Sequence, residues 1–403
     1  MPQPFVFVAH VVTDVLNEGF LTAARDLGLD PVIVTDLPRD HRRHFAQEGL
    51  SAYPEAVLGC DVFSPIAIIE TLQEAGIAPW AVFSHSDHLQ APTAVVADYF
   101  GLPGKDWRVC FAAKNKAAMR QRLDELTLSP CWHRLVTTPA QLTEIASDCP
   151  LPCVIKPREG VASLDVSRVD TREALIACCK GLWQRHPGQA LLLEEYLEGA
   201  LYTLETLGDG DRLEVLGGFR VELSPPPHFI ELAAYWGLDL DPAVIDDVVE
   251  QIRRFGIGFG SCHSEFVLTP TGPRLIEINY RTIGDGREFL LDETLGIELF
   301  HTILRLHLGE ALPRIDIARK GLHIEYVRAT RPGHLVQVPE AFRRRWEDGF
   351  VDFHPLRRPG ERLTLSHSNK DYLGVLSAAG DCSVRLKERV ATTLDSLTWE
   401  VQP

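Results

Sequence analysis

No CxxC pair occurs in this chain, although it holds nine cysteines. Cys178 and Cys179 are adjacent, and Cys60, Cys110, Cys131, Cys149, Cys153, Cys262 and Cys382 are scattered. An odd count without a framework spacing excludes a disulfide scaffold and leads us to expect reduced thiols and a cytoplasmic protein. Basic charge is in deficit, with 40 Lys and Arg against 56 Asp and Glu and a net charge of −16. That argues against nucleic acid or an anionic membrane as the main partner, while leaving room for a local basic pocket. The opening MPQPFVFVAH has neither a basic n-region nor a cleavage site, and no apolar run reaches the roughly 18 residues of a membrane span. Neither GxxxxGK[ST] nor GxGxxG is found, which removes the main support for a P-loop or a Rossmann dinucleotide site. No Ser-centred nucleophile elbow and no catalytic Cys signature are found either. His41 and His44, like His85 and His88, stand three residues apart but lack a third ligand in register. They read as surface or loop histidines.

The 403 residues suffice for two to four domains. Over the first hundred, short apolar strands (PFVFVAHVV, DPVIVTDL, WAVFSHSD) alternate with amphipathic helices (FLTAARDLGL, SPIAIIETLQEAGI, TAVVADYFGL). Alternation of this kind predicts a parallel sheet with helices on both faces. Ser64-Pro65 is an N-cap and N1 pair for the second helix. GLPGKDW marks a boundary. Lys114–Leu126 is expected to be helical, with Met119, Leu123 and Leu126 on one face. Strands, a loop REGVASLD, helices and a Pro-rich SPPPHF follow, and the tail from Gly321 reads as strand-rich.

Chemistry concentrates in SEFVLTPTGPRLIEINYR. HSEFVL and RLIEIN read as two strands around the turn TPTGP. With a five-residue loop Thr269–Pro273, Leu268 faces Arg274 and Glu265 falls opposite Glu277; Asn279 shares the face of Glu277. Two carboxylates that close need a proton or a cation between them. Two acids and a carboxamide suit Mg²⁺ or Mn²⁺, with water and phosphate oxygens completing the shell. Taken alone, the pair reads equally well as two exposed glutamates on the solvent face of a hairpin. Arg281 has the planar, permanently charged fork that suits a phosphoryl group in transfer. By itself it reads as a surface arginine. In CVIKPREGVASLDV, Lys156 offers a point charge and the loop its backbone N–H groups, though an ordinary turn explains the loop as well. The strand end LLLEEYLEG offers a backbone edge at Glu195–Leu197 beside Glu194.

In order and spacing these segments resemble the ATP-grasp superfamily of carboxylate–amine ligases, over roughly residues 1–310. The resemblance implies a mixed α/β and α+β chain in three parts: an N-terminal parallel α/β domain (1–108), a two-lobed ATP-grasp domain (109–310, lobes 109–195 and 196–310) and a small strand-rich α+β domain (311–403). It implies ATP phosphates on Lys116 and Lys156 and on the loop of Gly160, Ala162 and Ser163. Adenine would meet Glu194, Glu195, Tyr196 and Leu197. Glu265, Glu277 and Asn279 would hold Mg²⁺ or Mn²⁺, with Arg281, Lys156 and Asn279 serving catalysis. Two departures stand out. Ala200 and Leu201 follow the hinge glycine Gly199 where many members carry an acid for the ribose, leaving Glu198 or Glu205 as substitutes. The phosphate loop is poor in glycine and includes Asp165. Within the superfamily the chain looks closest to L-amino-acid (dipeptide) ligases and vibrioferrin-type siderophore enzymes. The activity implied joins a small acid to an amine through an acylphosphate. Purine-pathway or carboxylase-like chemistry and an inactive nucleotide-binding regulator are the alternatives. Arg220, His228, Glu231, Gly284, Asp285 and Arg287 are the candidate substrate residues, Gly160–Asp165 the candidate lid, and a homodimer the base-rate expectation.

Overall fold

The computed structural model describes residues 3–48, 54, 56–318 and 320–403. The N-terminal part is a four-stranded sheet in the order Ala56–Gly59, Asp30–Thr35, Pro4–Ala9, Ala81–Phe83, each neighbouring pair parallel. Near-continuous apolar strands bury both faces, one against Phe20, Phe45 and Phe300, the other against Ile68, Leu72 and Val96. Ser64 caps the helix Pro65–Glu74 through its side chain, with Pro65 at the first position, as its sequence predicts. His41 departs from expectation. It is fully buried inside the helix Pro38–Glu48, its Nε2 3.1 Å from the carbonyl of His10.

A second, antiparallel sheet orders His133–Val136, Leu191–Glu195, Cys153–Pro157 and Ser167–Val169. Helices Pro139–Ile145 and Arg172–Arg185 cover it around Leu175, Cys179 and Leu182. The expected helix Lys114–Leu126 is present as Lys116–Glu125; Asn115 turns extended, caps it with its side chain and separates it from a preceding helix, Trp107–Lys114. Met119 and Leu123 are fully buried as the spacing predicts. Two helices follow the hairpin, Arg287–Leu295 and Leu299–His307, separated at left-handed Gly296 and Glu298.

The largest element is a ten-stranded sheet that runs on into the tail. Its order is Gly272–Asn279, Phe259–Thr269, Ala200–Asp209, Phe219–Leu223, Glu231–Trp236, Gly321–Arg328, Tyr372–Gly380, Gly349–Pro355 and Phe342–Trp346, with Leu213–Gly217 paired to Ala200–Asp209. A three-stranded sheet (Arg362–Leu363, Gly333–Gln337, Glu400–Gln402) finishes the tail. Among the described residues no helix is long and apolar enough to cross a membrane.

Candidate functional site

The hairpin places Glu265 directly opposite Glu277 and His263 opposite Asn279. The expected register near the turn is off by one. Leu268 pairs with Pro273 and Val267 with Arg274, because the strands close tightly between Thr269 and Gly272. An irregularity after Glu265, at Ile276 on the return strand, supplies the missing residue and restores the acid pair. The two acids therefore share a face because of a bulge, not because of the loop length.

Lysines and loops close over this pair. Lys116, at the start of its helix, donates from Nζ to Glu277 Oε1 and to the carbonyl of Gly160, at 3.0 Å each. Burial alone would lower the pKa of Lys116, but the Glu277 carboxylate outweighs it and holds the amine charged. Burial opposes the charge on Glu277 too, and Lys116 wins, so its carboxyl is lowered. Lys156 Nζ lies 2.7 Å from Glu194 Oε2, and Arg120 grips the same carboxylate in bidentate fashion at 2.7 and 3.1 Å. Burial pushes Glu194 up, yet Arg120 and then Lys156 bring it down to about 2. Glu194 thus anchors two cations rather than presenting its carboxylate to a base. Arg120 was absent from the sequence reading, although it stands one turn from Lys116 on the same helix face.

A cavity of about 580 Å³ opens between the four-stranded antiparallel sheet and the ten-stranded sheet, a volume ordinary for a small-molecule site. All the site residues read from the sequence line it except Arg220 and His228. Those two line a separate cavity, because Arg220 pairs across from Tyr235 on the sheet's outer face and His228 sits in the loop at its rim. The loop Gly160–Asp165 arches over the cavity with Ala162, Ser163 and Asp165 at positive φ, conformations that cost free energy for residues with a Cβ. Asp165 turns away from the cavity, its Oδ1 2.7 Å from Arg185 and its Oδ2 3.3 Å from His186. That orientation removes the repulsion a triphosphate would meet. Neither acid considered for the ribose reaches the cavity. Glu205 accepts from Thr203 and lies 2.7 Å from His263 Nδ1, and Glu198 is exposed.

Besides Arg120, three contributions were not legible in the sequence. His263 stands between Glu205 and Glu265; burial would lower its pKa, but Glu205 and then Glu265 raise it to about 9. Asp87, from the N-terminal part, forms an ion pair with Lys114 and lies 3.8 Å from Arg281 Nε. The tail adds Asn369. Its backbone N–H donates to the carbonyl of Ala162 at 3.1 Å, and its side chain bridges to Glu231. Glu231 in turn lies 2.7 Å from Arg287, whose guanidinium also donates to the Tyr326 hydroxyl. Arg281 is held by its own loop, donating to the carbonyls of Thr282 and Ile283 at 2.6 and 2.8 Å.

The donor set fits a hard divalent cation. Two facing carboxylates and a carboxamide supply oxygen ligands only, and a phosphate-bearing ligand would add the rest. Among the described residues no three His, Cys, Asp or Glu side chains gather as a metal cluster. Glu265, Glu277 and Asn279 all line the cavity.

No family model matches the chain. It is 27% identical to an uncharacterised protein, y4rH, of Sinorhizobium fredii, covering 100% of this chain and 84% of that one. It is also 27% identical to carnosine synthase 1 of Gallus gallus over 83% of this chain, but spans only 39% of that relative's length. Among solved structures, an L-amino acid ligase from Bacillus licheniformis superposes with a TM-score of 0.78 at 18% identity, covering 100% of this chain and 99% of the other. At that identity the likeness establishes the fold.

Proposed function

We propose that this chain, which has the fold of the ATP-grasp ligases, joins the carboxylate of an amino acid or small acid to an amine at the expense of ATP, releasing ADP and phosphate. The observation that carries the reading is the facing pair Glu265 and Glu277, with Asn279, Lys116 and Arg281 around one cavity. Phosphoryl transfer asks a protein mainly for position and charge, and needs no protein nucleophile. Lys116 and Lys156 would neutralise the phosphate oxygens, Lys156 exchanging part of its contact with Glu194 for the nucleotide. Arg281, which faces Asp87 and lines the same cavity, would stabilise the acylphosphate and the tetrahedral oxyanion that follows. Mg²⁺ or Mn²⁺ held by Glu265, Glu277 and Asn279 would neutralise the β- and γ-phosphoryl oxygens. The Gly160–Asp165 loop, tied to Asn369, would exclude the water that hydrolyses acylphosphates. Adenine would lie against the backbone of Glu195–Leu197 at the hinge.

An amino-acid acceptor is favoured over a siderophore intermediate, because the relatives named for a chemistry include a carnosine synthase and an L-amino acid ligase. The lining supports it, with Glu231, Asp285 and Arg287 offering both signs of charge beyond Arg281. The test is an ADP-release screen over pairs of L-amino acids, with citrate or 2-oxoglutarate plus amines as further arms, run beside Glu277→Gln. Turnover should appear with amino-acid pairs and fall at least about 100-fold in the variant. ATP binding without turnover under every pairing would establish a regulator instead, and full activity in the variant would remove the metal assignment.

A further inference from the structure

Helix Pro242–Phe255 packs over the hairpin end of the ten-stranded sheet, and helix Ser383–Ser396 over Gly321–Arg328 and Tyr372–Gly380. Beside helix Ser383–Ser396, above Phe219–Leu223 and Glu231–Trp236, lies a second cavity of about 820 Å³. Its floor follows the sheet register, with Arg220 opposite Tyr235 and Tyr235 opposite His323. The Tyr235 and His323 rings lie 4.5 Å apart between centroids, and Lys387 Nζ stands 5.1 Å from the Tyr235 ring.

Polar capacity here is left unspent. Arg220 meets no carboxylate in an ion pair among the described residues, though it lines the cavity. His323 is 5% exposed; its Nε2 lies 2.8 Å from Glu325, while its Nδ1 is buried with no hydrogen-bond partner. A buried polar atom without a partner costs free energy that a bound ligand would recover. Acids line the cavity as well. Glu222 accepts from the Tyr235 hydroxyl at 3.2 Å, and Asp239 stands in the loop before the helix at Pro242. The cavity therefore offers cations, carboxylates and aromatic faces together.

We infer that this cavity is a second ligand site, for a zwitterion with an apolar body: an α-amino acid or a short peptide. Its carboxylate would meet Arg220 and Lys387, its ammonium Glu222 and Asp239, and its side chain Tyr235 and Trp236. Tyr196, Gly199, Leu201, Leu223 and Phe229 line both this cavity and the nucleotide cavity. The two cavities therefore share part of one wall. The inference concerns binding, so it holds or fails independently of ligation.

The test titrates the full-length chain, saturated with a non-hydrolysable ATP analogue, with L-amino acids in one arm and dipeptides in the other. Isothermal calorimetry counts sites for wild type, Glu277→Gln, Lys387→Glu and Arg220→Ala. The expected result is a class of site, additional to any substrate binding in the nucleotide cavity, that is present in wild type and Glu277→Gln and weakened at least tenfold in the other two variants. The arm that shows it separates substrate-like from product-like effectors. Affinity of Lys387→Glu for the ATP analogue alone should match wild type, which shows that the variant is folded. The inference is overturned if neither arm binds, if Lys387→Glu and Arg220→Ala bind as wild type, or if the site disappears in Glu277→Gln.

Discussion

Replacing Glu194 by Gln separates charge from shape at the end of the strand Leu191–Glu195. The carboxylate is buried and receives Arg120 through two contacts and Lys156 through one, at 2.7 to 3.1 Å. Its folded pKa of about 2 lies below the ordinary 4.5. At about 1.4 kcal/mol per unit, that difference corresponds to about 3 kcal/mol favouring the ionised form in the folded chain. The amide keeps the volume but leaves two buried cations without a counter-charge, a loss of about 3–5 kcal/mol. The sign of the pH dependence follows from the lowered pKa. The contribution is complete above about 4.5 and is lost as pH falls toward 2, with about 1 kcal/mol gone near pH 4 and most of it near pH 3. Urea unfolding of wild type and variant, followed by far-ultraviolet circular dichroism, should show a gap of at least about 3 kcal/mol near pH 7 that narrows below pH 4.5. A gap under about 1 kcal/mol near pH 7, or one that stays constant into acid, would refute the assignment of Glu194 as the counter-ion of this pair.

Arg281→Ala should lower kcat by about 10²–10³ with little change in ATP affinity, and a drop below threefold would remove its role in charge stabilisation. Chelation with EDTA should abolish ADP release and added Mg²⁺ or Mn²⁺ restore it; activity that survives chelation contradicts a metal on the acid pair. Asn369→Ala removes the side-chain link to Glu231 while keeping the backbone contact to Ala162 in the Gly160–Asp165 loop. ADP release without amine should then rise several-fold relative to ligation, and an unchanged ratio would show that the arch closes without the Asn369–Glu231 link. Gly199→Ala would set a Cβ 2.1 Å from the carbonyl oxygen of Leu268. It should destabilise the hinge by about 1–3 kcal/mol, measured by urea midpoint.

What the sequence disclosed follows from what is local. Alternation along RLIEIN put Glu277 and Asn279 on one face, and the cap at Ser64 needs only neighbouring residues. The bulge at Ile276 left no mark, since two errors of one residue, in the turn and in the pairing, cancel at Glu265. Arg220 and His228 fall beside the right strands but on the wrong side, a distinction that requires knowing which face the lobes enclose. Asn369 was illegible for a different reason. Its partners Ala162 and Glu231 lie more than a hundred positions earlier, and nothing in the order of residues brings them near.

The continuous ladder from the acid hairpin to Phe342–Trp346 has a practical corollary. A cut after residue 310 would not free an appendage. It would strip Gly321–Arg328 from Glu231–Trp236, expose that strand's unpaired amides and carbonyls, and invite intermolecular pairing. The same cut would remove Asn369 and Tyr372 from the cavity wall. Deletion series and chimaeras on this scaffold should accordingly be joined beyond the last strand, and a truncated product that aggregates says nothing about the chemistry of the part retained.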